Sequence, residues 1–243
     1  ERELQMAHAV QASLLPRETP ELPGWEFEAR WQPAHKVSGD YYDFVALDGE
    51  QLGLVIADVS DKGMPAAVFM ALTRSTIRAT ASHIPSPAEA IAEANRLICA
   101  DSAEGMFVTL FYAQLDPTSG RLTYVNAGHN PPLVCRAGEA EHLEELRPTG
   151  MALGIVEDFP FEQRTLELLP GDSILLYTDG VPDASNEGQE HFGMDRLRRA
   201  ILEYQSAPVS GMVAALEGSI GDFTGGETQF DDIAILAVKR LGM

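Results

Sequence analysis

The amino-acid sequence predicts an α+β fold in which antiparallel β-sheets are flanked by α-helices. Segments with strand character are joined by short turns containing Asp-Gly, Ser-Gly or Pro-Gly, and such turns favour antiparallel pairing. Segments with helical character occur in pairs instead of alternating with single strands, which argues against a doubly wound parallel sheet. The 243 residues are 45% hydrophobic, so the chain can bury the core that this fold needs.

The strand segments are recognised by their pattern of apolar residues. Within residues 25–34, apolar and polar side chains alternate, as expected for a strand with one buried face. Residues 41–47 and 51–58 are separated by the turn sequence Asp-Gly-Glu, which predicts a hairpin. Further strands are predicted at residues 106–116, 121–127, 131–137, 161–169, 172–179 and 233–239.

An amphipathic helix is predicted within residues 1–16. Its apolar residues recur at steps of three and four, namely at Leu4, Ala7, Val10 and Leu14. We interpret this helix as a linker or regulatory segment of a longer chain, and residues 17–243 as one domain. A stand-alone helix packed on its own domain would explain the same pattern. Two more helices are expected to start at Pro65 and Pro87, and another two at residues 194–204 and 208–220.

Charge, cysteine and histidine patterns exclude several classes of protein. Lys and Arg total 17 against 37 Asp and Glu, and the net charge of −20 would repel nucleic acid and anionic membranes but attract divalent cations. No apolar stretch approaches the roughly 18 residues that span a bilayer, so we expect a cytoplasmic domain without membrane insertion. Cys99 and Cys135 fit no disulfide framework, and the histidines show no zinc-ligand spacing.

Four aspartates lie at the ends of predicted strands. Asp58 and Asp179 close their strands, whereas Asp40 and Asp231 precede theirs. Because the first residue of an antiparallel strand lies beside the last residue of its neighbour, we expect all four to gather at one edge. Clustered carboxylates raise one another's pKa and need a counter-charge. Two hard divalent cations, Mn²⁺ or Mg²⁺, would provide it, because these ions prefer oxygen ligands.

Each of these aspartates, taken alone, is also explained as a turn or helix-cap residue. Their surroundings favour the metal site, since Asp40 lies in SGDYYD, Asp58 in ADVSDKGMPAA and Asp179 in YTDG. Glycine in these segments allows the backbone to approach an ion closely. The combination is therefore more specific than any single member.

Seven motifs follow one another along the chain: QASLLP, SGDYYD, DVSDKGMPAA, NAGHNPPL, LLYTDGVPDA, FG and FDDIAILAV. Their sequence and order resemble the SpoIIE/RsbU branch of the metal-dependent (PPM, type 2C) protein phosphatases, over nearly the whole chain. The resemblance implies an α-β-β-α sandwich of two packed antiparallel sheets. It also implies hydrolysis of phosphoserine or phosphothreonine by attack of a metal-activated water.

The resemblance assigns roles to individual residues. The implied metal ligands are Asp40, Asp58, the carbonyl of Val59, Asp179 and Asp231. Asp58 would bridge the two ions, Asp40 would bind the second ion, and Asp179 and Asp231 would bind the first. Adjacent side chains of a strand point to opposite faces, so Asp232 is expected to orient a water or hydrogen-bond the loop.

A few positions depart from the family or stay open. Asp61 stands where the family has glycine, and we prefer helix capping to a place in the metal shell or plain exposure. Pro182 replaces the Glu or Thr common after YTDGV, so the following loop differs from the family. His129 fits a turn residue bonded to backbone better than a catalytic acid. Lys62 fits a solvated loop charge better than a phosphate contact.

The resemblance also implies partners. In this branch the usual substrate is a phosphorylated STAS-domain anti-anti-sigma protein of a partner-switching pathway, as in stress responses. An upstream sensor or receiver domain would act through the N-terminal helix, including by homodimer formation. Two other functions stay open: an inactive phosphatase-like binding module and a metal hydrolase of small phosphoesters. The four intact aspartates argue against the first, and the lack of a GxxxxGK[ST] loop against the second.

Overall fold

Two five-stranded antiparallel sheets form the centre of the computed structural model, which describes residues 2–102, 105–138, 142–226, 229 and 231–242. In spatial order, the first sheet consists of β1 (Trp25–Gln32), β10 (Ile233–Arg240), β9 (Ser173–Tyr177), β6 (Leu133–Cys135) and β7 (Leu143–Glu145). The second sheet consists of β2 (Tyr41–Ala46), β3 (Leu52–Val59), β4 (Val108–Leu115), β5 (Arg121–Ala127) and β8 (Arg164–Glu167).

The described residues form the helices α1 (Arg2–Leu14), α2 (Met64–His83), α3 (Pro87–Asp101), α4 (Gly193–Glu203) and α5 (Val209–Thr224). Helix α1 lies against α2, and the other four cover the outer faces of the two sheets. Helices α2 and α3 pack on the second sheet, and α4 and α5 pack on the first. Across the described residues, no helix has both the length and the apolar character needed to cross a bilayer.

Strand β3 shows how the layers are specified. Leu54 and Ile56 point into the core between the sheets, whereas Val55 and Ala57 belong to the core shared with α2 and α3. A continuous apolar run is what a strand covered on both faces requires. The end of β3, which includes Asp58, is thereby held in a fixed position at one end of the sandwich.

The predicted fold class is confirmed, and the differences are local. Strand β6 starts only at Leu133, because prolines 131 and 132 lack the N–H groups that a sheet interior needs. Strand β8 covers four residues, 164–167, of the predicted 161–169. The sequence does not predict β7, since three residues, 143–145, are too few to show a period. Phe230, in the last motif, lies outside the described residues.

The packed face of α1 needs one correction. Leu4, Ala7 and Leu14 are half-buried, but Val10 is 62% exposed, and the buried position is Gln11. With about 3.6 residues per turn, a four-residue step from Ala7 to Gln11 stays on the face, whereas a step of three to Val10 leaves it. A polar residue thus occupies the centre of the contact.

A buried ion-pair group links β2 to α2 and gives a first prediction. Both carboxylate oxygens of Asp43 lie 2.6 Å from Arg78 Nη1, and Oδ2 lies 3.1 Å from Arg74 Nε. Removing the shared carboxylate leaves the charge of Arg74 largely buried, whereas Arg78 is 40% exposed, so we expect Asp43→Ala to lower the free energy of unfolding by about 3 kcal/mol, the lower end of the effect of breaking a buried pair. Urea unfolding measures this, with the exposed Asp48→Ala as control. Equal midpoints for the two variants would show that the group does not stabilise the fold.

Candidate functional site

The four predicted aspartates lie at the same end of the sandwich, two from each sheet. Asp40 directly precedes β2 and lies beside Asp58, because the first residue of β2 pairs with the residue before Asp58. Asp179 follows β9, and Asp231 precedes β10, the neighbouring strand of the other sheet. The charges of Asp179 and Asp231 act on Asp58, so the two pairs share one site.

Burial and mutual repulsion change the pKa values in this cluster. Burial, and then the charge of Asp58, raises the pKa of Asp40 well above its usual value. Burial, and then the charge of Asp179, raises the pKa of Asp58 to about 7. Burial, followed by the charges of Asp231 and Asp183, raises the pKa of Asp179 to about 6. The cluster therefore favours a bound proton or a bound cation near neutral pH.

These pKa values predict how the metal-free protein responds to pH. A carboxyl group whose pKa is raised on folding binds protons more tightly in the folded protein, so stability increases as the pH falls. For Asp58 and Asp179 the gain develops from the folded values of about 7 and about 6 down to the unfolded value of about 3.9. In EDTA, we expect the Tm of the wild type to rise when the pH is lowered from about 8 to about 5, and to rise by about 3–6 °C more than the Tm of Asp58→Asn does. Identical pH profiles for the two proteins would contradict this source of the effect.

The donor atoms of the cluster fit hard divalent cations. They are carboxylate and carbonyl oxygens, which Mg²⁺ and Mn²⁺ prefer. Asp40 Oδ2 is buried and has no hydrogen-bond partner in the described part of the chain, as expected for an oxygen that faces an ion. The carbonyl oxygen of Val59 faces Gly39, where a Cβ would lie only 3.0 Å away, so glycine leaves space around it.

The described side chains do not form a closed metal shell. Among them, no three acidic, histidine or cysteine residues converge tightly enough to hold an ion by themselves. Asp231 Oδ2 lies 3.1 Å from Lys62 Nζ, and Oδ1 accepts the Asp232 N–H at 2.9 Å. Water and a rearrangement of Asp231 would have to complete the coordination. Mg²⁺ commonly keeps several waters in protein sites, whereas structural zinc sites are closed by protein ligands.

Asp232 is buried and has different contacts from Asp231. Its two oxygens accept the N–H groups of Ala34 at 2.8 Å and Gly39 at 2.9 Å. These bonds tie the segment before Asp40 to the start of β10. The side chain of Asp232 thus holds the loop that carries an aspartate of the other sheet.

Gly180, in the YTDG motif, allows two loops to touch. A Cβ at this position would lie 1.9 Å from the carbonyl oxygen of Asp232, so a larger residue requires the backbone to move. The contact joins the loop after β9 to the loop before β10. The close approach that glycine permits here is therefore to the backbone of the neighbouring loop.

The residues that hold the loop of Asp40 are not predicted from the sequence. The side-chain amide of Gln11 donates to the Ser38 carbonyl and accepts the Ser38 N–H at 2.9 Å. The Ser38 hydroxyl accepts the Asp40 N–H at 3.0 Å, and Trp31 Nε1 donates to the Asp40 carbonyl at 2.9 Å. His8 stacks on Trp31 with the ring centroids 5.6 Å apart. Helix α1 is therefore connected directly to the loop of Asp40.

His129 is buried beside the strand that carries Asp58. Its Nδ1 lies 2.9 Å from the hydroxyl of Thr109, and that hydroxyl lies 3.5 Å from the Asp58 carbonyl oxygen. Burial lowers the pKa of His129 to about 4, and the nearby backbone of Tyr177 opposes this effect only in part. The imidazole is thus neutral near pH 7 and packs as a support for the strand end.

In the loop after β3, the predicted cap by Asp61 is wrong, and the prediction for Lys62 is incomplete. Asp61 adopts a φ of 77° and its Oδ1 accepts the Lys62 N–H at 2.8 Å, whereas Gly63 occupies the position before α2 without a side-chain cap. Aspartate tolerates this left-handed conformation because it bonds to the nearby backbone. Lys62 is an exposed loop charge, as predicted, and its ammonium also pairs with Asp231. Both residues thus shape the edge of the cluster.

Comparison with known proteins places this arrangement in a family. The family model for stage II sporulation protein E (SpoIIE) matches residues 48–241. Protein IcfG of Synechocystis sp. (strain ATCC 27184 / PCC 6803 / Kazusa) is 33% identical over 265 residues, which cover 98% of this chain and 41% of IcfG. Phosphoserine phosphatase RsbU of Bacillus subtilis (strain 168) is 29% identical over 238 residues, covering 98% of this chain and 70% of RsbU. The chain thus spans less than half the length of IcfG.

Solved structures share the fold. The SiaA-PP2C domain of Pseudomonas aeruginosa has a TM-score of 0.86 at 22% identity and covers 98% of this chain and 96% of its own. The catalytic domain of the serine/threonine phosphatase PstP, in complex with two manganese ions, has a TM-score of 0.63 at 17% identity, with coverage of 90% and 99%. The two-sheet sandwich described above is therefore the PP2C fold.

Proposed function

Because this chain belongs to the SpoIIE family of serine/threonine protein phosphatases, we propose that its clustered aspartates hold two divalent cations, Mn²⁺ or Mg²⁺, for the hydrolysis of a phosphoserine or phosphothreonine. The observation that carries this proposal is the meeting of carboxylates from both sheets at one end of the sandwich. Burial, and then mutual repulsion, raises the pKa values of Asp40, Asp58 and Asp179, and a bound cation would relieve that repulsion.

Each ligand is assigned by its position. Asp58 is the proposed bridge, since it lies beside Asp40 and is acted on by the charges of the two aspartates from the other sheet. Asp40 and the Val59 carbonyl would hold one ion, and Asp179 and Asp231 the other. Divalent ions held in this way supply an activated water and screen the phosphoryl oxygens.

Other residues of the chain orient the site. Lys62 lies at its open edge, with a side chain that is 42% exposed and an ammonium group 3.1 Å from Asp231. Its ammonium pairs with Asp231 in this arrangement, and it would become available to an incoming phosphoryl group once Asp231 turns towards an ion. Asp232 fixes the neighbouring loop through two N–H groups. His129 does not serve as the proton donor, because it is buried and its pKa is lowered to about 4.

The proposed substrate is a phosphorylated STAS-type anti-anti-sigma protein, dephosphorylated in the cytoplasm within a partner-switching pathway. The relationship to RsbU, a named phosphoserine phosphatase, supports this substrate class. We further propose that residues 1–16 form a regulatory segment that receives a signal from an upstream sensor or receiver domain, with homodimer formation as one route. The bonds from Gln11 to Ser38 give such a signal a physical connection to Asp40.

Release of phosphate from a phosphoserine STAS protein tests the proposal, with Mn²⁺, Mg²⁺ or EDTA and with Asp58→Asn beside the wild type. We expect release that depends on the metal and is lost in the variant. Equal rates for the two proteins, or release in EDTA, would contradict the proposed site. Binding of the STAS protein without turnover would favour an inactive binding module. Turnover of small phosphoesters alone would favour a hydrolase of such compounds.

A further inference from the structure

A cavity of about 140 Å³ lies between α5 and the outer face of the first sheet, directly beside the candidate metal site. Asp231 and Gly180 line the end nearest the cluster. Ile220 of α5 and Ile233 and Ile235 of β10 line its apolar side. Since a single water needs about 10–15 Å³ of such space, the cavity can hold a group of the size of a leucine side chain.

The charged residues of the cavity favour a neutral occupant. Arg30 extends from β1, but its guanidinium pairs with Glu28 and lies 3.2 Å from Glu217 Oε2. Its charge is therefore already compensated by two carboxylates. At the other end, Asp231 is paired with Lys62, and the proposed cations would neutralise the cluster further. Neither end therefore offers an uncompensated charge to an acidic or a basic group, and the isoleucines provide an apolar wall for an aliphatic one.

We propose that this cavity binds an aliphatic side chain of the phosphoprotein substrate, close in sequence to the phosphorylated residue. The inference rests on the proposed function, because it takes the aspartate cluster as the site of phosphate release. Since Asp231 belongs to both the cluster and the cavity wall, and an extended peptide advances about 3.3 Å per residue, the aliphatic residue lies within about three positions of the phosphoserine. The cavity would thus favour phosphoproteins that carry an aliphatic residue near the phosphoserine.

Helix α5 offers a variant that fills the cavity and a matched control. Gly221 lines the cavity, and a Cβ added there meets no atom within 4 Å, so larger side chains can enter the space. Gly211 lies ten residues earlier on the same helix, about 15 Å away along its axis. A Cβ at Gly211 meets only Ala207, at an ordinary 3.6 Å. Both substitutions replace glycine by a better helix former.

The test uses phosphoserine peptides that carry either leucine or alanine at one position from three before to three after the phosphoserine. With Mn²⁺, we expect wild type to show a kcat/KM about ten times higher for leucine than for alanine at one position. The ratio should fall towards one along the series Gly221→Ala, Gly221→Val and Gly221→Leu, and stay at the wild-type value in Gly211→Leu.

Two results would overturn the inference while leaving the proposed function intact: no leucine preference at any position, or the same preference in wild type and Gly221→Leu. Metal-dependent turnover of p-nitrophenyl phosphate by wild type, measured in parallel, separates these results from failure of the site itself. If wild type turns over neither the peptides nor p-nitrophenyl phosphate, the proposed function fails and the inference with it. Melting curves show which Gly221 variants are folded and enter the series.

Discussion

Asp231→Asn is expected to lower turnover by about 100-fold or more, which is the size of the effect when one group that stabilises charge is lost. The melting temperature should be unchanged or higher. Asp231 is partly exposed, with 29% of its side chain accessible, and it contributes to the repulsion in the cluster. Asparagine keeps an oxygen for the Asp232 N–H, and the ion pair that is lost involves a Lys62 side chain that is 42% exposed to water, so no buried donor is left unpaired. Its neighbour should behave differently.

The main effect expected of Asp232→Asn is a free energy of unfolding that is lower by about 1–3 kcal/mol, because both oxygens of Asp232 accept N–H groups. An asparagine would present its NH₂ group to one of these donors. The fall in turnover should be smaller than for Asp231→Asn and should follow from the displaced loop.

Turnover, Mn²⁺ affinity and Tm, measured on both variants, distinguish the two roles. Asp222→Asn, exposed on α5, is the control for a change of one charge. Equal loss of turnover and equal loss of stability in the two neighbours would show that their roles are not divided in this way.

Gln11→Met is expected to weaken Mn²⁺ binding by about ten-fold, the lower end of the loss seen when residues behind a metal ligand are changed. Methionine keeps the length of the side chain but cannot bond the two backbone groups of Ser38. The Ser38 hydroxyl in turn accepts the Asp40 N–H, so greater mobility of Ser38 would also make the proposed ligand Asp40 less well positioned.

Calorimetric titration with Mn²⁺ provides a readout that does not depend on turnover. Val10→Ala, one position earlier and 62% exposed, changes the same helix without touching the loop and should bind Mn²⁺ as wild type does. A Gln11→Met protein that melts earlier but binds Mn²⁺ normally would show that Gln11 only attaches the helix.

Much of the fold can be predicted from local patterns, and so can half of the geometry of the site. Alternation and turn residues identify most strands, and antiparallel pairing places Asp40 beside Asp58. Pairing says nothing about the distance between the two sheets, so the meeting of Asp58 with Asp179 depends on packing. The match of motifs to the family indicates this meeting, whereas periodicity does not.

The unpredicted contacts join residues that are distant in the sequence. Gln11 and Ser38 are 27 positions apart, and their bonds depend on how α1 lies against the second sheet. The Lys62 to Asp231 pair likewise bridges loops of different sheets. In the sequence, such a contact is indicated by a glutamine in the middle of a helix face whose other residues are apolar.

Anomalous scattering at the manganese edge, from crystals of this protein grown or soaked with Mn²⁺, would locate the ions themselves. We expect two peaks between the sheet ends, both within coordinating distance of Asp58, with Asp40 beside one and Asp179 and Asp231 beside the other. Asp58→Asn crystals treated in the same way should lose at least one peak. Manganese bound elsewhere on this acidic surface, with none at the cluster, would show that the aspartates do not form the metal site.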